Sequence, residues 1–123
     1  MKLATFILFA SALCSAQITC PTGVNHCANV SWTAGTGGTA TSYNVYQSTT
    51  NGGCATLTAT TCTKAGSTVT TSYMVSPLTK TTTYYFVVTG VNATGESAGS
   101  TQVSGTTGDD VPGTPQTIII QVK

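Results

Sequence analysis

The chain has 123 residues, 40% of them hydrophobic and only 6% charged, with a formal net charge of +1. Nucleic-acid binding draws most of its affinity from Lys and Arg neutralising phosphates, and four such residues make no basic patch, which argues against nucleic acid and against an anionic membrane surface as partners. Globular domains carry about 25% charged residues, so polarity here must come from Thr, Ser, Asn and Gly; the abundance of β-branched Thr favours strands over helices.

Met1-Lys2 is a positive start, Leu3 through Leu13 is apolar, and Cys14-Ser15-Ala16 is small-x-small. This is the pattern of a secretory signal peptide cleaved after Ala16. The run is shorter than the roughly 20 apolar residues a bilayer span needs, and Leu13 before Cys14 departs from a lipobox. The expected product starts at Gln17, is extracellular or periplasmic, and contacts no membrane beyond the signal peptide.

Removing residues 1–16 leaves four cysteines, Cys20, Cys27, Cys54 and Cys62. An even number in an exported chain points to disulfides. Three connectivities are possible. The sequence-local pairs Cys20–Cys27 and Cys54–Cys62 are preferred, because each brackets a turn-rich stretch. The competing reading is a metal site, with His26 beside Cys27, but the chain has no CxxC pair and the spacing is wrong for zinc. No metal, cofactor or catalytic residue is assigned.

In chain order, Ile18 to Cys20 is a short strand candidate and Pro21-Thr22-Gly23 a turn. Ala28 to Trp32 alternates apolar and polar, turning Val30 and Trp32 inward together. Tyr43 to Tyr46 begins the next strand, with Tyr43 and Val45 on one face. After the turn signal Asn51-Gly52-Gly53, Cys54 to Thr60 alternates through Ala55, Leu57 and Ala59 and reads as a strand. Val69 to Val75 reads as another, with Val69, Thr71, Tyr73 and Val75 on one side. The longest candidate is Thr82 to Asn92. Tyr84, Phe86 and Val88 share one face; Tyr85, Val87 and Thr89 share the other, which is less polar than an open face should be. Gly95 turns the chain, and Ser97 to Thr106 is a last strand containing Val103. About seven strands between turn signals are the pattern of an all-β sandwich. Residues 17–107 form this domain. Residues 108–123 form a breaker-rich linker and a strand-prone tail, Ile118 to Val122, that would aggregate if left exposed alone.

Trp32 in the second strand, Tyr43-Asn44-Val45 after it, and Leu78-Thr79-Lys80-Thr81-Thr82-Thr83-Tyr84 resemble the fibronectin type III family over roughly residues 18–107. Phe86, Val88, Asn92 and Gly95-Glu96-Ser97 continue the likeness. Lys80 stands where a Pro is common, and most members lack disulfides. The resemblance implies a seven-stranded immunoglobulin-like sandwich, with Tyr84 as a tyrosine corner bonded to upstream backbone, extended here by an extra C-terminal strand. It also implies a secreted, bacterial, single-module protein. The expected core is Val30, Trp32, Tyr43, Val45, Tyr73, Leu78, Tyr84, Phe86 and Val88.

The only His and the three acidic residues, Glu96, Asp109 and Asp110, form no recognisable catalytic motif. His26 reads as a solvent-facing loop residue and Asp109-Asp110 as a solvated linker. Some family members carry Arg-Gly-Asp between their last two strands; here that loop is Asn92 to Glu96, so integrin-type binding does not carry over. The primary expectation is a non-catalytic binding or spacer module whose partner is an extracellular protein or glycan. One alternative is a structural subunit self-associating through residues 116–122. Another is an accessory domain for carbohydrate-active enzymes, with Tyr46 and Tyr85 as the aromatic candidates.

Overall fold

Alternation of apolar and polar residues turns one side of each strand toward a partner, and two such sides close on each other. The computed structural model describes residues 19–110 and the backbone of residues 7–9. Among the described residues the strands are β1 (Ile7–Phe9), β2 (Ala28–Thr33), β3 (Ser42–Ser48), β4 (Thr63–Thr68), β5 (Ser72–Val75), β6 (Thr83–Asn92), β7 (Gly95–Glu96) and β8 (Val103–Thr106). They make two antiparallel sheets. One has the order β1-β2-β5; the other has the order β4-β3-β6-β7, with β8 on β6. The fold is an all-β, immunoglobulin-like sandwich. The anticipated C-terminal strand lies outside the described residues.

Val30 and Trp32 of β2, Val75 of β5 and Leu78 meet Tyr43, Val45, Tyr84, Phe86 and Val88 of the opposite sheet in one buried cluster; Tyr73 is half-buried against it. Val45 and Val88 are fully enclosed. The Trp32 ring stands edge-on to Tyr43, centroids 5.3 Å apart, a geometry that adds about 0.5–1.5 kcal/mol to simple burial. Tyr73 reaches across from β5 to lie over Gly66 of β4, where a Cβ would overlap the phenol. Any side chain at Gly66 would have to displace the Tyr73 phenol, and Gly66 sits beside the bulge between Val45 and Tyr46.

Four expected strands differ. Cys54 to Thr60 is a run of turns, with Ala55 N–H bonded to Gly52 O, Ala59 N–H to Thr56 O and Cys62 N–H to Ala59 O. The Cys54–Cys62 disulfide holds the ends 4.8 Å apart at Cα, too close for a nine-residue extended segment. The strand comes after it, at β4, whose backbone completes the β3 edge although Thr-Lys-Ala-Gly-Ser-Thr has no apolar alternation. Val69 is 78% exposed, in the bend between β4 and β5, rather than inward with Tyr73 and Val75. Ser97 to Gln102 is not a strand either. Ser97 and Ser100 each bond β6 twice: their N–H groups donate to Gly90 O and Val88 O, and their hydroxyls accept from Gly90 N and Val88 N. Two side chains thus replace the ladder between β7 and β8. Cys20 is outside any strand, and Ile18 is outside the described residues.

The tyrosine corner is formed: Thr79 N–H donates to Tyr84 Oη at 2.9 Å. Tyr84→Phe leaves that amide without its acceptor and is expected to cost about 1–2 kcal/mol, read as a lower guanidinium midpoint at unchanged m-value.

Candidate functional site

On β3, Tyr43 and Val45 face the core, so Asn44 and Tyr46 face outward. On β6, Thr89 faces the same way, paired with Asn44. Around Tyr46 and Val87 this outer face is covered, while Glu96 at its rim is exposed. The Cys54–Cys62 loop lays Cys54 and Leu57 against Tyr46 and Val87, which is why the second face of β6 is so apolar. Thr89 is 0% exposed.

The turn at Gly95 brings β7 against the end of β6, with Glu96 opposite Val91. Its Oε1 accepts from Asn44 Nδ2 at 2.9 Å, from Tyr46 Oη at 2.8 Å, and from Thr89 Oγ1. Asn44 Oδ1 in turn accepts from Ser67 Oγ at 2.6 Å. An ionised carboxylate only accepts and a hydroxyl can donate, so these partners fix which way the Asn44 amide points. Four strands, β3, β4, β6 and β7, contribute to one network.

Burial by itself pushes the Glu96 carboxyl upward. The donors Thr89, Asn44 and Tyr46, with the Lys64 charge nearby, outweigh it and hold the group below its ordinary value. Burial, followed by the hydrogen bond to Glu96 and its negative charge, raises the Tyr46 phenol. Efficient general acids and bases have pKa values near the working pH. A carboxylate held low and a phenol held high suit neither role at neutral pH. They suit a fixed negative point that accepts hydrogen bonds.

A lowered carboxyl contributes stability that is present above its unfolded value and lost as pH falls through the folded one. Stability should therefore drop on acidification through and below the ordinary carboxylate range. Glu96→Gln keeps an acceptor and should flatten that limb of the pH profile. Glu96→Ala strands three donors and should cost about 1.5–3 kcal/mol, measured by chemical denaturation at pH 7.

A second polar cluster lies at one end of the sandwich. His26 and Asp110 pair through Nε2 and Oδ1 at 2.8 Å, and Lys80 Nζ is 3.3 Å from carboxylate oxygens of both Asp109 and Asp110. His26 is thus not a free loop residue, and Asp109-Asp110 is not a free linker. Only 14% of the His26 side chain is exposed. The hydrogen bond from His26 and then Lys80 lower the Asp110 carboxyl, while Asp109 and then Asp110 raise the Lys80 ammonium. Sequence reading could not join residues separated by 84 positions.

Cys20 is bonded to Cys27 and Cys54 to Cys62. Among the described residues, no three His, Cys, Asp or Glu side chains gather to hold a metal. Tyr46, an aromatic candidate for sugar stacking, is buried with only 9% of its surface exposed, and its ring packs in the Cys54 and Val87 cluster. Tyr85 is half-buried.

The model of the fibronectin type III domain matches residues 17–106. No curated protein matches the chain. Among solved structures, a Fn3-like protein from Clostridium thermocellum is 28% identical, covering 71% of this chain and 81% of that one, with a TM-score of 0.54. A set of domains from titin is 26% identical over 72% of this chain and 30% of that one, with a TM-score of 0.56. The sixth fibronectin type III domain of human fibronectin type III domain containing protein 3 covers 94% of this chain and 92% of that one at a TM-score of 0.59. At 16% identity it speaks to the fold alone.

Proposed function

Because the chain belongs to the fibronectin type III family, a general module for protein interaction or spacing that is usually non-catalytic, we propose that it acts as an exported binding module without chemistry of its own. Its partner is an extracellular protein or glycan that presents a cation or hydrogen-bond donors. The observation that carries this reading is the Glu96 carboxylate, aimed by three donors from two strands and held ionised on the outer face of the larger sheet. A charge fixed in position costs a partner little ordering on binding. Two disulfides fit an oxidising compartment, and the leader pattern of residues 1–16 supports export.

The test is binding of the exported chain to immobilised glycans and to surface proteins of its own producing cells, with wild type and Glu96→Gln side by side. A partner that the wild type binds should be held at least about tenfold more weakly by the variant, while the variant stays folded at neutral pH, its melting temperature lowered by no more than the charge's own contribution to stability. Equal binding by both would move the interface away from this face. Turnover of ester, peptide or glycosidic substrates by the pure chain would overturn the non-catalytic reading.

A further inference from the structure

The backbone of the leader pairs with the sandwich. β1 runs antiparallel to β2, with Ile7 opposite Thr33 and Phe9 opposite Ser31. The Trp32 amide bonds to Thr71 O on the β5 side. Backbone groups alternate sides along a strand, so Ser31 and Thr33 direct their amides to the β1 side, and Asn29 does the same beyond the end of β1. Cleavage after Ala16 removes β1. It would leave an open edge on a sheet reduced to two strands, an arrangement that is marginal and prone to pairing with other chains.

The far end of the domain is delivered to that edge. After β8, Thr107 N–H bonds Thr82 O and Gly108 O accepts from Thr81 N–H. The chain then crosses the end of the sandwich, from the larger sheet to the smaller. There Asp110 is clasped by His26, two residues before β2, and by Lys80. From that point six residues, 111–116, can reach roughly 20 Å, several strand spacings. Six residues follow, Thr117-Ile118-Ile119-Ile120-Gln121-Val122, the same number as in β2. All but Gln121 are β-branched, four are apolar, and Pro115 stands two positions before Thr117.

We infer that in the processed protein residues 117–122 of the same chain take the edge of β2 that the leader strand vacates, running parallel to β2 from its Ala28 end. This rests on the export reading above. The occupant is the chain's own tail and not a second copy: the clasp tethers it beside the edge, at an effective concentration of order millimolar, far above micromolar neighbours. The exchange gives the precursor and the mature protein different third strands on one sheet.

The experiment expresses the full chain in an exporting host, measures the intact mass of the product, and follows amide exchange residue by residue by NMR. Variants Ile118→Pro and Ile119→Pro each delete one tail amide, and one of the two must face β2. The expected result is a monomer beginning at Gln17 whose Ser31 and Thr33 amides are protected, with exchange at least about tenfold faster in one variant. Equal exchange in all three proteins overturns the inference, as does protection that appears only with concentration-dependent dimers. A product that keeps Met1 overturns the export reading itself, and the mass reports this separately.

Discussion

Trp32→Ala is expected to remove a large part of the domain's stability. Trp32 is 5% exposed, at the centre of the cluster joining both sheets, and truncating a buried aromatic costs about 3–5 kcal/mol. Domains of this size have about 5–15 kcal/mol in total. At about 4–8 °C per kcal/mol the melting temperature should fall on the order of 20 °C. Because Trp32 is the only tryptophan, unfolding must be followed by circular dichroism. Trp32→Phe should cost far less. The indole Nε1 is buried and finds no acceptor among the described residues, so phenylalanine removes an unpaired donor while it keeps an aromatic edge toward Tyr43. If the two variants proved equally destabilised, the loss would not be one of packing.

Reducing both disulfides should have the second large effect. The sequence separations are 7 and 8, and closing a loop of that size is worth roughly 2.5 kcal/mol in the chain-entropy account. Together they approach about 5 kcal/mol, a third or more of the stability expected for such a domain. The two bridges should not be equal. Cys54 is 4% exposed and packs on Tyr46 and Val87, under the network that ends at Glu96. Cys20 and Cys27 are only half-buried. Cys54→Ser with Cys62→Ser adds a buried hydroxyl to the lost constraint, so this pair should cost more than Cys20→Ser with Cys27→Ser. Guanidinium titrations of the two double variants, each against wild type with and without reductant, give both numbers. A larger loss in the Cys20–Cys27 double variant would contradict the packing described for the loop.

Much of the fold is legible in the residues. Val30, Trp32, Tyr43, Val45, Tyr84, Phe86 and Val88 sit at period two within their strands, and that spacing already turns them to one side. Leu78 and Tyr84 stand at the spacing of a tyrosine corner, and the corner is made. The same rule misleads at Cys54 to Thr60, where Ala55, Leu57 and Ala59 alternate but the segment folds into turns. A short cross-link overrides a weak local preference, because a bridge between the ends forbids extension whatever the side chains prefer. Val69 is misplaced for a related reason: a hydrophobic residue in a bend between two strands has no sheet beneath it. β4 gives no apolar signal at all. Its pairing is through backbone, which every residue carries alike.

The candidate site is less legible than the fold. Asn44, Ser67, Thr89 and Glu96 are ordinary polar residues in sequence, and none forms a motif. One hint was available, the scarcity of acidic side chains, which makes each of the three worth placing. Composition and periodicity determined that this chain is a β-sandwich and which side chains fill it, because strand alternation is a property of neighbouring residues; they favoured local cysteine pairing, and the structure chose it among three connectivities. Only the tertiary structure decided that Glu96 collects donors from β3 and β6, that His26 meets Asp110, and which backbone edges remain to be covered. Those contacts join residues dozens of positions apart, and their energies depend on distances that exist only once the sheets have closed.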